Sequence, residues 1–392
     1  MLLGLVGKPS SGKSTFFKAC TLADVLIAAY PFATIKPNHG VAFVNTKCIE
    51  GEFKTKCNPQ KGYCIEGNRF VPIDLMDVAG LIEGASEGKG LGNQFLDDLT
   101  NADAFIHVVD ISGETDAQGK ETKGYDPVQD VQMLEKELDL WYYGILKKVW
   151  RTFSRTVQNE KADLSKAITK QFSGLKVHEN DVRRVLNKLN FPEKPMEWTE
   201  DNLLQFANAL RHISKPMIIA ANKFDKLESE KNLENLKKRH PEITIIPCSA
   251  DFELALREAH NRGFISYIPG ENDFKIVGQI NDRQKLGLEN IRAFLQKNKS
   301  TGVQEVLNIA VFNLLNYIAV FPASANKLGD SKGNILPDCF LLPSGSTALD
   351  FAFFIHTDLG KNFIKAVDAR SKRALGKGYV LKNRDALEII TR

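Results

Sequence analysis

Gly7-Lys8-Pro9-Ser10-Ser11-Gly12-Lys13-Ser14 satisfies G-x-x-x-x-G-K-[ST] in full. Such a loop does phosphate chemistry. The glycines let the backbone curl so that successive N–H groups face phosphate oxygens. Lys13 reaches the β- and γ-phosphates, and the Ser14 hydroxyl offers one Mg²⁺ position. Ser14 and Thr15 open a helix whose positive end faces the same anion. Gly7, Ser10, Ser11 and Gly12 supply the rest of the cradle.

A phosphate loop by itself does not choose between adenine and guanine. Asn222-Lys223-Phe224-Asp225 does, following the apolar run PMIIAA. A carboxylate at Asp225 can accept from both N1–H and the 2-amino group of guanine. Adenine offers neither donor, and an unmatched buried polar group costs about 1–3 kcal/mol, more when charged. Cys248-Ser249-Ala250, after ITIIP, is placed to bring a backbone N–H near the guanine oxygen. Asp77-Val78-Ala79-Gly80 adds a carboxylate for a Mg²⁺-bound water and a Gly80 N–H for a γ-phosphate oxygen, a contact that hydrolysis removes. Thr34 is the only threonine in Tyr30–Asn38 and is the candidate for the second Mg²⁺ hydroxyl. Lys13, Thr34 and Gly80 are thus the expected catalytic groups, with GTP or GDP and Mg²⁺ as ligands.

These residues need a scaffold that brings strand ends together. LLGLV at residues 2–6, VPIDLM at 71–76, AFIHVVD at 104–110, PMIIAA at 216–221 and ITII at 243–246 read as buried strands. Alternating with helical stretches, they predict an α/β domain with a mostly parallel sheet covered on both faces. From Leu134 to Ser214 no strand pattern appears, and WYYGILKKVWRTF and DVRRVLNKLNF carry apolar residues at helical spacing with Lys and Arg between them, which predicts a helical insertion. From Asn308 short strands and one helical segment near Thr347–Phe354 predict an α+β module of about 80 residues. The expected organisation is therefore a first α/β stretch at 1–133, an insertion at 134–214, a second α/β stretch at 215–307 and the small module at 308–392.

Composition excludes little and fits this scheme. The chain has 392 residues, 43% hydrophobic and 26% charged, with a formal net charge of +4. No apolar run approaches the roughly 20 residues that span a bilayer, so no membrane role is expected. Six scattered cysteines suggest a reducing, cytoplasmic setting and no disulfide framework. Lys361–Arg392 carries nine Lys and Arg against three Asp and Glu, more than the whole-chain surplus. A basic end of this kind is compatible with ribosome or RNA contact.

The run DVAGLIEGASEGKGLGNQFL at Asp77–Leu96, with YPFATIKPN upstream, resembles the Obg/YchF group of translation-factor-class GTPases. The C-terminal module is similar to the TGS domain, which implies a ubiquitin-like β-grasp fold. With its insertion the whole chain looks like the archaeal and eukaryotic YchF-related branch. The resemblance implies a slow GTPase whose nucleotide state governs contact with a ribosome or other RNA through the insertion and the TGS-like module. YchF proper has an altered guanine element and resembles an ATP-preferring enzyme, whereas NKFD here favours GTP. A nucleotide-stabilised RNA-binding scaffold is the non-enzymatic alternative. Many relatives carry Asn at the fourth phosphate-loop position, where it helps hold potassium; Ser10 weighs against that here. Leu81 follows DxxG where Ras-like proteins place a water-orienting glutamine, so intrinsic hydrolysis is expected to be slow.

Other residues read as structural. Cys48, Cys57 and Cys64 lack a C-x₂-C pair and need a fourth ligand from elsewhere, His39 being one candidate, so an incidental role is expected over zinc. His107 inside AFIHVVD reads as a satisfied core histidine. Trp141, Tyr142, Tyr143 and Trp150 read as core aromatics.

Overall fold

The computed structural model describes residues 1–22, 37–81, 83–85, 98–324, 328–329 and 333–392. Numbered along the chain, the first strands are β1 (Leu2–Val6), β2 (Asn38–Lys47), β3 (Tyr63–Ile65), β4 (Asn68–Asp77), β5 (Ala104–Asp110), β6 (Met217–Asn222) and β7 (Ile245–Pro247). The chain forms two compact units: Met1–Gly40 with Asp74–Val306, and Val41–Ile73 with Leu307–Arg392. Residues 41–73, expected within the first α/β stretch, thus cluster with the C-terminal residues.

In the first unit the strands run in the order β4-β1-β5-β6-β7, every neighbouring pair parallel. All seven residues of β5 and all six of β6 are buried, as expected for central strands covered on both faces. The strand order steps outward from β1 in both directions, so β1 and β5 flank the reversal point. Ligands of open α/β sheets bind at the C-terminal strand edge there. Helix α1 (Lys13–Thr21) follows β1 directly and buries Phe16, Phe17, Ala19 and Cys20.

The helix that leads into the insertion starts upstream of Leu134. Helix α2 runs over Val128–Asn159, 32 residues or about 48 Å at 1.5 Å each. Its first turns bury Val128 and Val131 with Val109, Ile111 and Ile219, then Leu134 and Leu138 with Val6, Met76 and Phe105. Beyond Tyr142 the same helix enters a separate core with α3 (Leu164–Gln171), α4 (Glu179–Lys188) and α5 (Glu200–Ser214). Only this second half shows the basic helical pattern; the first half is polar on the outside and reads like any helix covering a sheet. Tyr142 and Trp150 are buried, with Trp150 stacked on Trp198 at 5.0 Å and Tyr142 on Phe172 at 5.5 Å. Trp141 and Tyr143 pack against that core as partly buried neighbours. The aromatics are core residues, as expected.

The second unit has a five-stranded mixed sheet. Its strands are β8 (Tyr317–Pro322), β9 (Phe340–Pro343), β10 (Phe363–Asp368), β11 (Ala374–Leu375) and β12 (Ala386–Thr391), in the order β9-β8-β12-β10-β11. β8 and β9 are antiparallel, while β12 lies parallel to β8. The helix Ala348–Ile355, capped by a reciprocal Thr347–Asp350 capping box, packs Phe351 onto Ile318, Val320 and Leu387. An N-terminal hairpin, a helix and a parallel return strand give the β-grasp arrangement. Arg69 ties residues 41–73 into this unit: its buried guanidinium donates to the carbonyls of Leu336 and Pro337, each at 3.0 Å. Among the described residues no helix is long and apolar enough to cross a membrane.

Candidate nucleotide-binding site

The phosphate loop is built from backbone conformations that its side chains permit. Gly7 and Gly12 take φ of 144° and 93°. A Cβ on Gly12 would stand 2.2 Å from Asn222 Nδ2, and one on Gly7 2.5 Å from the Val108 carbonyl oxygen. Neither position tolerates a side chain. Ser10 holds a left-handed φ of 59° without being glycine, a local strain of about 1–2 kcal/mol concentrated in this loop. Lys13 folds back over the loop, its Nζ donating to the carbonyls of Gly7 at 3.1 Å and Lys8 at 2.8 Å. Burial pushes its ammonium down to about 8, partly offset by the charge of Asp77. A polyphosphate beside it would reverse that shift, because an adjacent anion favours the charged form.

Ser14 Oγ donates to Asp77 Oδ2 at 2.7 Å. Asp77 ends β4 fully buried, and its Oδ1 has no hydrogen-bond partner among the described residues. Burial raises the Asp77 carboxyl above its usual range, against the pull of Lys13. A hydroxyl beside a carboxylate with an unpaired oxygen is a hard, anionic donor pair that suits a small divalent cation. Gly80 lies against the loop, where a Cβ would come within 2.7 Å of the Pro9 nitrogen, and Leu81 N–H donates to Gly7 O at 3.0 Å. The D-x-x-G segment is therefore fastened to the phosphate loop through backbone contact. Leu81 itself is 1% exposed and belongs to the core around Val6, Val78 and Leu138. Its side chain has a packing role that spacing could not reveal. Thr34 lies outside the described residues, as does most of the glycine-rich run after Gly80.

On the base side, the four residues of the N-K-x-D element divide their work. Asn222 is buried and bridges two loops: Nδ2 donates to Ser11 O at 3.0 Å, and Oδ1 accepts from Ala250 N at 3.0 Å. Lys223 takes φ 62° and its Nζ forms an ion pair with Asp110 Oδ2 at 2.7 Å. Asp225 Oδ1 accepts from Ser249 Oγ at 2.7 Å, and Ser249 in turn caps the following helix, Ala250–Asn261, by accepting from Phe252 N. Asp225 is half-buried. In this state the Ala250 N–H is engaged by Asn222.

Two supporting residues escaped the sequence reading. Asp110 is fully buried and accepts from Ser112 Oγ at 2.5 Å, Thr115 Oγ1 at 2.6 Å and Lys223. These bonds, with the Lys223 charge, outweigh its burial and lower its carboxyl below the usual value. Its signal was present, since Asp110 closes the apolar run AFIHVVD at the same strand edge as Asp77. Lys8, a variable position of the phosphate loop, pairs with Asp130 on α2 at 3.0 Å, donates to Thr115 O at 2.7 Å and lies 4.1 Å from the Tyr125 ring centre. Both charges are buried; burial pushes Asp130 up to about 6 and Lys8 downward, each opposed by its partner. No sequence pattern links residues 8 and 130.

His107 differs from expectation. It is buried beneath the loop, but neither ring nitrogen has a hydrogen-bond partner among the described residues. Burial, then the nearby Lys13 and Lys8 charges, pushes it down to about 3, so it is a neutral, unpaired ring and not a satisfied one.

The geometry agrees with relatives across the whole chain. Residues 2–140 match the model of the 50S ribosome-binding GTPase family, residues 220–324 that of the Obg-like GTPase YGR210-like, G4 motif-containing domain, and residues 331–391 that of the TGS domain. An uncharacterized GTP-binding protein of Methanocaldococcus jannaschii is 48% identical over 393 residues, covering 100% of this chain and 99% of its own length. The chain belongs to the YchF-related, Obg-like GTPase family. The crystal structure of a GTP-binding protein from Pyrococcus horikoshii OT3 superposes with a TM-score of 0.81 at 40% identity, covering 100% of both chains. A ribosome-binding ATPase YchF of Buchnera aphidicola subsp. Acyrthosiphon pisum is 29% identical, covering 93% of this chain and 86% of its own. The YchF-related assignment and the TGS domain inferred from the Asp77–Leu96 run and the C-terminal strands are thereby established.

Proposed function

We propose that this YchF-related GTP-binding protein is a slow, regulatory GTPase. Its nucleotide state controls how the helical insertion and the TGS domain meet a ribosome or another RNA-containing partner in the cytoplasm. The observation that carries the guanine preference is Asp225, steadied on Oδ1 by Ser249 and positioned after β6. A carboxylate held this way pairs with the two N–H donors of guanine and opposes adenine.

Ser14, Thr34 and, through water, Asp77 hold Mg²⁺ in this reading, with Thr15, Ser10 and Ser11 completing the phosphate cradle. The ion when bound neutralises charge on the β- and γ-oxygens. Lys13 moves from the Gly7 and Lys8 carbonyls to those oxygens, regaining its full charge. The Gly80 N–H meets the γ-phosphate and loses that partner on hydrolysis. Leu81 carries no group able to orient water, which supports a low intrinsic rate. Lys8–Asp130 supplies a physical link from the loop to α2, whose far half forms the insertion core.

The second reading, hydrolysis of ATP, is favoured by relatives named ribosome-binding ATPase. Single-turnover hydrolysis of GTP and of ATP, with and without ribosomes, separates the two. We expect slow GTP turnover and ribosome co-sedimentation that depends on the nucleotide. Equal or faster ATP turnover, or no co-sedimentation in any nucleotide state, overturns the corresponding half of the proposal.

A further inference from the structure

Cys48, Glu50, Cys57 and Cys64 lie together in the second unit, their ligand atoms all within 4.8 Å of one another. Cys48 Sγ is 3.8 Å from Cys57 Sγ, and Cys64 Sγ is 3.6 Å from Glu50 Oε1. A tetrahedral site with bonds of about 2.3 Å has donor–donor edges of about 3.8 Å. The sulfurs are free thiols, well beyond the bonding distance of about 2.05 Å for a disulfide. Sequence spacing pointed away from a metal because it sought a C-x₂-C pair or a distant histidine. The fourth donor is Glu50 instead, two residues after Cys48 on the 3-10 turn Glu50–Phe53.

From these distances we infer a structural zinc site formed by Cys48, Glu50, Cys57 and Cys64. Three features support it. First, the four donors come from four successive places along the chain: the residue after β2, the 3-10 turn, the loop before β3, and β3 itself. Sequence neighbours crowded on one turn could not surround an ion in this way. Second, Glu50 is already oriented as a one-oxygen ligand. Its Oε2 accepts from Cys57 N–H at 2.8 Å, which leaves Oε1 facing the sulfurs. Metal-bound carboxylates characteristically carry such an outer hydrogen bond. Third, the segment has almost no core of its own, its other ties being polar, such as the ion pairs of Glu52 with Arg370 and Arg384. Between residues 48 and 62 only Cys48 and Ile49 are buried, and the 3-10 turn buries nothing. Small segments without a core depend on a staple. This one must also keep Asn58 and Gln60 in place, whose backbone N–H groups donate to the carbonyls of Ile335 and Pro337 at 3.1 and 2.9 Å.

Three soft thiolates and one carboxylate suit zinc, with a closed shell and no open position, hence a structural ion and not a reaction centre. Loading releases the three thiol protons to solvent and changes no oxidation state. The test uses the full chain purified under reducing conditions without chelator. Elemental analysis should find one zinc per chain. After chelation, cobalt titration of the wild-type protein should give thiolate-to-cobalt charge-transfer bands and the intense visible bands of a tetrahedral site. Cys57→Ser and Cys64→Ser should lose stoichiometric zinc, and Glu50→Gln, which keeps an oxygen donor but loses its charge, should bind it more weakly than wild type. Fluorescent-GDP affinity should be unchanged in all three. The inference fails if reduced wild-type protein takes up neither zinc nor cobalt, if iron replaces zinc, if the variants keep zinc at wild-type affinity, or if Cys48 and Cys57 are found disulfide-bonded. The cobalt titration needs no variant, so misfolding of a mutant cannot obscure the result.

Discussion

Replacing Asn222 with alanine tests whether the N-K-x-D element works first as a clamp on the site. The side chain satisfies two buried backbone groups, Ser11 O in the phosphate loop and Ala250 N before the helix Ala250–Asn261. Alanine leaves both without a partner, at about 1–3 kcal/mol each, so about 2–6 kcal/mol in all. The missing volume gives water a route to part of that loss, which places the expected destabilisation toward the lower end. The loops that lose their tie are the ones that must be ordered to hold phosphate and base. We therefore expect nucleotide affinity to fall about 10- to 1,000-fold, or about 1.4–4.1 kcal/mol. The loss should be equal for guanine and adenine nucleotides, because Asn222 contacts the loops and discriminates nothing itself. The assay is titration with fluorescent GDP, competed by GTP and ATP, alongside urea unfolding of the same variant. Wild-type affinity and stability in Asn222→Ala would refute the clamp. So would a loss confined to guanine nucleotides, which would move base recognition from Asp225 to Asn222.

Leu81→Ala should lower stability by about 2–5 kcal/mol, because it empties a buried leucine site. Its turnover per folded molecule should fall less than about a hundredfold, or about 2.7 kcal/mol, as read from hydrolysis normalised to nucleotide-competent protein. Lys8→Ala leaves Asp130 buried and uncompensated and should cost about 3–5 kcal/mol; the Lys8→Met, Asp130→Leu pair should recover most of it in a double-mutant cycle. His107 is held neutral down to about pH 3 in the fold but takes a proton near pH 6.5 when unfolded. The unfolded state then binds more protons between those values, so stability falls as pH drops from about 6.5, by up to about 1.4 kcal/mol per unit. His107→Leu should be less pH-sensitive than wild type over that window, measured by urea unfolding at stepped pH. An unchanged pH dependence would show that His107 is solvated or paired in solution.

The parts of the site visible in the sequence are those whose chemistry depends on local spacing. Gly7 to Ser14 form one continuous turn, and the Asp77 and Asn222 elements each follow an apolar strand, so strand ends and motifs announce one another. The parallel sheet was legible for the same reason, from runs such as AFIHVVD and PMIIAA. What stayed hidden depends on which distant segments meet. Lys8 finds Asp130 only because α2 begins at Val128 and packs its first turn onto the sheet. Leu81 packs against Val6 and Leu138, a core role that residue spacing does not reveal. Glu50 stands out only in the fold, which brings it among Cys48, Cys57 and Cys64. Residues 41–73 cluster with the TGS domain through Arg69, an interaction with two backbone carbonyls that leaves no trace in residue spacing.

The guanine preference assigned to Asp225 is tested most directly by binding fluorescent GDP to the purified protein with Mg²⁺ and competing separately with GTP and ATP. GTP should displace the probe while excess ATP does not, and Asp225→Asn should erase that difference. Displacement by ATP as readily as by GTP would contradict the guanine assignment and place the protein with the ATP-hydrolysing members of its family.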